Sequence, residues 1–264
     1  MLQDLLMRLK HGKILTIAAV DGLALGGGCE LLLHCNRVVA SMNSYIGLVE
    51  VGIGGIPAGC GSKEMALRAY LNKESDDIFP LLSKHFEQIA MAKVSASALE
   101  AKEMGYLKTE DVIIANPNEL LYVAKNQALA MLESGFRSPL DDTFKVVGKA
   151  GYANIMAQVA NLFEGNFMSE HDKYCISSLA KVMTGSLVEE NTVVNSKMIL
   201  DLERKYELSE IVKGDSIFCA TGITSNNVMT GIKIQDEKYT SETLVTHKSS
   251  RLKKIIKTVN PLKE

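Results

Sequence analysis

Residues 18–62 read AAVDGLALGGGCELLLHCNRVVASMNSYIGLVEVGIGGIPAGCGS and hold half of the chain's twenty glycines together with two carboxylates, Glu30 and Glu50. Lys13 to Val20 is a near-continuous apolar run of strand length, and the Gly26-Gly27-Gly28 turn beyond it leads into a helical run from Cys29 to Cys35. A strand that breaks into a helix at glycines exposes backbone N–H groups. Backed by the positive end of the helix dipole, such donors hold an anion or an oxyanion.

Glu30 falls in the first turn of that helix, where negative charge is favoured. Glu50 comes twenty residues later, past a short strand-like stretch from Arg37 to Ala40 and directly ahead of VGIGGIPAGCG. Two glutamates flanking an oxyanion site suit proton transfer beside a thioester carbonyl. The plainer alternative is structural: a glutamate in a first helical turn is ordinarily a cap, and GGG ordinarily serves tight packing. GLALGGG lacks the GxGxxG spacing and no GxxxxGK[ST] occurs, so a nucleotide phosphate loop does not fit.

Taken as one string, ALGGGCELLLHCNRVVA followed by YIGLVEVGIGGIPAGCGS closely resembles the core signature of the enoyl-CoA hydratase/isomerase, or crotonase, family. The strand, the glycine turn, both acids and the Ile56-Pro57 glycine loop fall in register, and KVSASALEAKEMGYLKTEDVI continues the likeness as a helix and a return strand. The resemblance implies that Gly27 supplies an oxyanion-hole N–H, that Glu30 activates water, and that Glu50 moves the proton at the α-carbon. It implies an acyl-CoA thioester as substrate and no separate cofactor. It also implies a second oxyanion donor, with part of the coenzyme A pocket, from a loop farther upstream than the 26 residues that precede Gly27. Loss of one such donor costs about 3–4 kcal/mol of barrier. The expectation is therefore a truncated crotonase-like domain with impaired hydration of 2-enoyl-CoA thioesters in fatty-acid β-oxidation. Enoyl-CoA isomerisation and a noncatalytic acyl-CoA-binding or assembly remnant are the alternatives.

With 264 residues, 47% of them hydrophobic, the chain is long enough for one large domain or two small ones. A net charge of −2 and a pI near 6.2 give no general attraction to nucleic acid or anionic membrane. The five cysteines, Cys29, Cys35, Cys60, Cys175 and Cys219, are odd in number and form no CxxC pair. They read as buried thiols of a reducing compartment and not as metal ligands. His34 on its apolar helix reads as a core or subunit-contact residue. No apolar run reaches the length of a membrane span, so a cytoplasmic location is expected, with a homo-oligomer left open.

Downstream the text turns helical. Gly61 or Ser62 to Tyr70, Pro80 to Ala92, a helix opened by the Ser97-x-x-Glu100 capping box, and Glu119 to Ser134 all read as helices, the last opened by Asn116-Pro117 and stopped by Gly135. Alternating with short strands, they suit an α/β fold. Ser138-Pro139 marks a linker, and Gly148 to Tyr206 reads as an all-helical extension with Ser169 as an N-cap and Gly185 as a stop. This block resembles the trailing part of fused proteins that join 3-hydroxyacyl-CoA dehydrogenase to enoyl-CoA hydratase. The dehydrogenase half, with its NAD-binding fingerprint, is not in this sequence. Glu170, His171 and Asp172 are adjacent on one helix, point to different faces, and read as cap and surface.

From about Glu207 the pattern changes again. SIFCATGI, MTGIKI, SETLVTH and RLKKIIKTV read as short strands, and the region resembles the C-terminal end of class II fructose-1,6-bisphosphatase without the acidic metal ligands of that enzyme. Its Lys248, Arg251, Lys253, Lys254 and Lys257 read as a lysine-guarded strand edge before a sugar-phosphate contact. The organisation expected is thus a crotonase portion over 1–140, a helical extension over 141–206 and a small C-terminal β element over 207–264. Two unrelated resemblances in one chain point to a fusion of gene remnants or to an assembly artefact.

Overall fold

The computed structural model describes residues 2–72, 77–140, 143–213, 233–235 and 238–240. Helix α1 (Leu2–His11) leads to strand β1 (Ile17–Val20), then β2 (Leu23–Leu25), helix α2 (Gly27–Leu33), β3 (Arg37–Ser41) and β4 (Tyr45–Gly47). The apolar run expected from Lys13 enters the sheet only at Ile17, because Ile14 stays exposed. Helix α2 starts two residues earlier than the sequence suggests, since Gly26 turns the chain with φ of 54° and the next two glycines take helical conformations.

A 3-10 turn (Glu50–Ile53) precedes α3 (Gly61–Tyr70), α4 (Phe79–Ala90) and α5 (Ala98–Glu103). Strand β5 (Val112–Ile114) then pairs with β3, so β1, β3 and β5 form a parallel sheet in that order, while β2 and β4 form a separate parallel pair. The box expected at Ser97 is half formed. Ser97 accepts the Glu100 N–H at 3.1 Å, but the Glu100 carboxylate takes the N–H of Ala96 at 2.7 Å. Asn116 caps a short 3-10 turn that runs into α6 (Leu120–Glu133), which Gly135 terminates with φ of 74°.

The extension is not all helical. Strand β6 (Thr143–Val146), α7 (Gly148–Glu164), α8 (Glu170–Met183), β7 (Thr192–Asn195) and α9 (Ser196–Lys213) follow, with β6 and β7 paired antiparallel. Phe144 and Val146 bury one face of β6 and Val194 buries the matching face of β7, a period of two inside text that is otherwise helical. Ser169 opens α8 through a complete capping box with Asp172, and Gly185 follows its end with φ of 80°.

Residues of the extension share one core with the first 140. Leu32, Ile46, Leu48 and Met65 belong to the same buried cluster as Ile155, Leu179 and Met183. Tyr70 stacks on Phe144 with ring centres 5.3 Å apart and donates its hydroxyl to the Met183 carbonyl at 2.6 Å. Truncating any one of these leucines to alanine costs about 2–5 kcal/mol. The contacts divide the chain into two compact units, Met1–Glu210 and Ile211–Glu264. Helix α9 continues to Lys213, past the change of pattern expected at Glu207. In the second unit, β8 (Lys233–Gln235) and β9 (Lys238–Thr240) form an antiparallel pair. The SIFCATGI, SETLVTH and RLKKIIKTV runs, the five basic residues and Cys219 lie outside the described residues. No described helix is long and apolar enough to cross a membrane.

Candidate active site

Parallel pairing of β2 with β4 sets Leu25 opposite Gly47, and the Gly26 N–H donates to the Gly47 carbonyl at 2.9 Å. Neighbouring parallel strands end on the same side, so the turn into α2 and the turn into Glu50 emerge together. The carboxyl ends of parallel strands are where α/β folds place their ligands. Gly27 is the first residue of α2, and its N–H has no partner among the described residues. It is a free donor at the positive end of a helix, though a helix of only seven residues.

Glu50 opens the 3-10 turn with its side chain against Gly26, the residue before that donor. Its Oε1 would lie 3.2 Å from a Cβ placed on Gly26, and its Oε2 is buried without a hydrogen-bond partner. Burial first, and then the charge of Glu30, push its carboxyl up to about 8. An unpartnered buried carboxyl oxygen carries a desolvation cost, which makes Glu50 a candidate site residue.

Glu30 is 3% exposed and reaches across to the amino end of α3, where its Oε1 accepts the Gly61 N–H at 2.9 Å. Gly59 and Gly61 allow this approach, for a Cβ on Gly61 would meet Oε1 at 2.8 Å and one on Gly59 would overlap Oε2. Burial lifts Glu30 to about 7 against the pull of the Gly61 and Gly59 N–H groups, and the charge of Glu207 adds to the rise. A carboxyl poised there gives or takes a proton at neutral pH. Glu30 is therefore a cap as well as a titrating group, but the helix it caps is α3 rather than its own.

Beneath the pair lies a buried ionic network. The His34 ring, whose tautomer follows from its hydrogen bonds, donates Nδ1–H to the Glu30 carbonyl at 2.7 Å and accepts from Lys63 Nζ at 3.2 Å. Lys63 Nζ also lies 3.1 Å from Glu64, which meets Lys10 at 2.6 Å and Arg68 at 3.4 Å. Burial drives His34 down to about 3 despite Glu64, so the ring is neutral. Burial alone would raise Glu64, but Lys10, Lys63, His34 and Arg68 outweigh it and hold the carboxylate well below its usual range. His34 is thus a core residue, as its apolar helix suggests.

The four described cysteines, Cys29, Cys35, Cys60 and Cys175, are buried. Burial, reinforced by Glu50, pushes the Cys29 thiol up, which removes it as a nucleophile. His171 is less peripheral than cap and surface would have it. Its Nε2 lies 3.0 Å from the Gly54 carbonyl, so α8 buttresses the loop that follows Glu50.

Sequence reasoning missed three residues here. Tyr106 is fully buried, with its hydroxyl 3.5 Å from the Leu48 N–H below Glu50. Glu203, on α9, is fully buried and accepts the Lys63 N–H at 2.7 Å and the Cys60 N–H at 3.1 Å. Gln3, on α1, donates to Glu203 at 3.0 Å and to the Ala58 carbonyl at 2.8 Å. Glu203 sits in the charged run DLERKY and Gln3 in a short amphipathic helix, and both patterns ordinarily face water.

Residues 1–109 match the model of the enoyl-CoA hydratase/isomerase family. Residues 131–260 match the model of the bacterial, glpX-encoded fructose-1,6-bisphosphatase, a span that begins well ahead of the tail in which the sequence likeness was recognised. Among curated relatives, the "Probable 3-hydroxyacyl-CoA dehydrogenase" of Bacillus subtilis is 40% identical over 209 residues, 78% of this chain and 26% of that protein. The 2,3-dehydroadipyl-CoA hydratase of Escherichia coli is 34% identical over 122 residues, 37% of this chain and 48% of its own. The chain therefore spans about a quarter of the first relative and about half of the second. An enoyl-CoA hydratase structure from Bacillus anthracis aligns with a TM-score of 0.40 at 19% identity, covering 81% of this chain and 60% of that one.

Proposed function

We propose that the crotonase-family segment binds 2-enoyl-CoA thioesters and carries the proton transfers of their hydration to 3-hydroxyacyl-CoA. The observation that carries this reading is the Glu50 carboxyl, packed against Gly26 one residue before the free Gly27 N–H with its Oε2 buried and unpartnered, and a second raised carboxyl, Glu30, in electrostatic reach. The thioester carbonyl oxygen would sit on the Gly27 N–H, which stabilises the charge that develops when the double bond is attacked. Glu30, deprotonated, takes a proton from water as the oxygen adds to the β-carbon. Glu50, protonated, gives its proton to the α-carbon, so that one water is consumed and no redox equivalent is needed. The acyl-CoA thioester enters as substrate, and no further cofactor is invoked.

Among the described residues this reading uses one oxyanion donor, Gly27, and a site working with one donor in place of two runs on the order of a hundred- to a thousandfold slower. Slow turnover is therefore part of the proposal. The names of the relatives support the substrate class, since the Escherichia coli protein is a 2,3-dehydroadipyl-CoA hydratase. Isothermal titration with a saturated acyl-CoA, run beside a crotonyl-CoA hydration assay, tests the proposal. Binding with slow hydration is expected, binding without hydration would leave an acyl-CoA-binding module, and no binding would refute it.

A further inference from the structure

The amino end of α3 is held by two carboxylates from elements distant in sequence. Glu30 takes the Gly61 N–H from one side, and Glu203 takes the N–H groups of Cys60 and Lys63 from the other at 3.1 and 2.7 Å. Cys60, the residue before the helix, has φ of 80° and offers no side-chain cap of its own, so these acids satisfy the orphan donors of the first turn. Glu203 is completely buried and is held by Gln3 of α1 at 3.0 Å. It is thereby a fixed part of the fold and not a mobile surface acid.

We propose that Glu203 is a positioning residue for Glu30: by anchoring α9 to the first turn of α3, it fixes the Gly59–Gly61 backbone that aims the Glu30 carboxyl. This inference rests on the reading of Glu30 as a proton carrier in hydration, and gives the helical extension a part in that site. The geometry requires it to act through backbone, because the two backbone N–H groups it accepts, those of Cys60 and Lys63, bracket Gly61. If the Cys60 and Lys63 N–H groups lose their acceptor, the first turn of α3 seeks water and carries Gly61 away from Glu30. The charged groups around the two acids are Glu50 from the 3-10 turn, Glu207 one turn farther along α9, and Lys63 on α3. The thiols of Cys29 and Cys60 complete the surroundings.

The test is a carbon NMR titration of the Glu30 side-chain carboxyl in the full chain, comparing wild type with Glu203→Ala and Glu203→Gln. Loss of the Gly61 and Gly59 donors removes the contacts among the described residues that favour the Glu30 anion. The Glu30 midpoint should therefore rise by about one pH unit in Glu203→Ala, and by less in Glu203→Gln, whose single amide oxygen still accepts one N–H. Should Glu203→Ala fail to fold, a rise in Glu203→Gln alone sustains the proposal. A Glu30 midpoint unchanged in the folded variants overturns it, even if their melting temperature falls, because a purely structural acid would lower stability without moving that titration. The measurement uses no substrate. A chain that shows the shift but hydrates nothing would sink the hydration reading and leave the positioning role standing.

Discussion

Lys63 Nζ points at His34 Nε2 from 3.2 Å, and both side chains are fully buried. The same Nζ lies 3.1 Å from Glu64, and Glu64 in turn meets Lys10 and Arg68. The network ties α1, α2 and α3 together directly under Glu30, whose carbonyl the same histidine holds.

Removing the anion at its centre should therefore be costly. Glu64→Gln strands three cations in a poorly solvated place, and breaking buried pairs in this way costs about 3–5 kcal/mol. Urea unfolding of the variant against wild type gives the number. A loss below about 1 kcal/mol would mean that water reaches the network and that it does not hold the site.

Stability should fall as pH rises from 6.5 to 8. Glu30, Glu50 and Glu203 have folded pKa values raised by burial to about 7, 8 and 8. Groups raised on folding contribute stability fully present below the ordinary glutamate value, and lost as pH climbs through the folded value. His34 and His85 are lowered by burial to about 3 and 4, so their contribution still fills in as pH climbs past the ordinary histidine value and offsets a small part of that loss at the lower edge of the window. The loss should be on the order of 3 kcal/mol, read from denaturation curves at the two pH values. A flat profile would show these acids already ionised in the native protein.

Glu50→Gln should separate stability from activity. The amide removes a proton donor worth about a hundred- to ten-thousandfold in rate. It also replaces a buried carboxyl that lacks a partner for Oε2, so the melting temperature at pH 8 should hold or rise. A variant that loses stability along with activity would mark Glu50 as structural.

The glycine turns made half of this site legible. GGGCE and the stretch from Glu50 to Gly61 announced both acids, since only glycine lets a carboxylate approach the backbone as Glu30 approaches Gly59 and Gly61. Ser169 and Gly185 were equally plain, because cap chemistry is local. Glu203 was not, for its burial comes from docking α9 on α3, 140 residues away in sequence, as its bond to Lys63 shows. The β6–β7 pair escaped for a similar reason: two four-residue strands separated by α7 and α8 carry too little period-two pattern to stand out.

Residues 1–213 should fold without the remainder. The first compact unit ends at Glu210 and contains every bond to Glu30, Glu50 and Glu203 described above. A chain ending at Lys213 should melt within a few degrees of the full protein in calorimetry. A large drop would show that the second unit supports the first.

The most direct test of hydration at this site is to incubate the chain with crotonyl-CoA in deuterium oxide and read the product by mass spectrometry. The predicted result is 3-hydroxybutyryl-CoA formed slowly, with one deuterium fixed at the α-carbon, and its loss in Glu50→Gln. Product formation that persists unchanged in Glu50→Gln, or no product above the uncatalysed background, would contradict it.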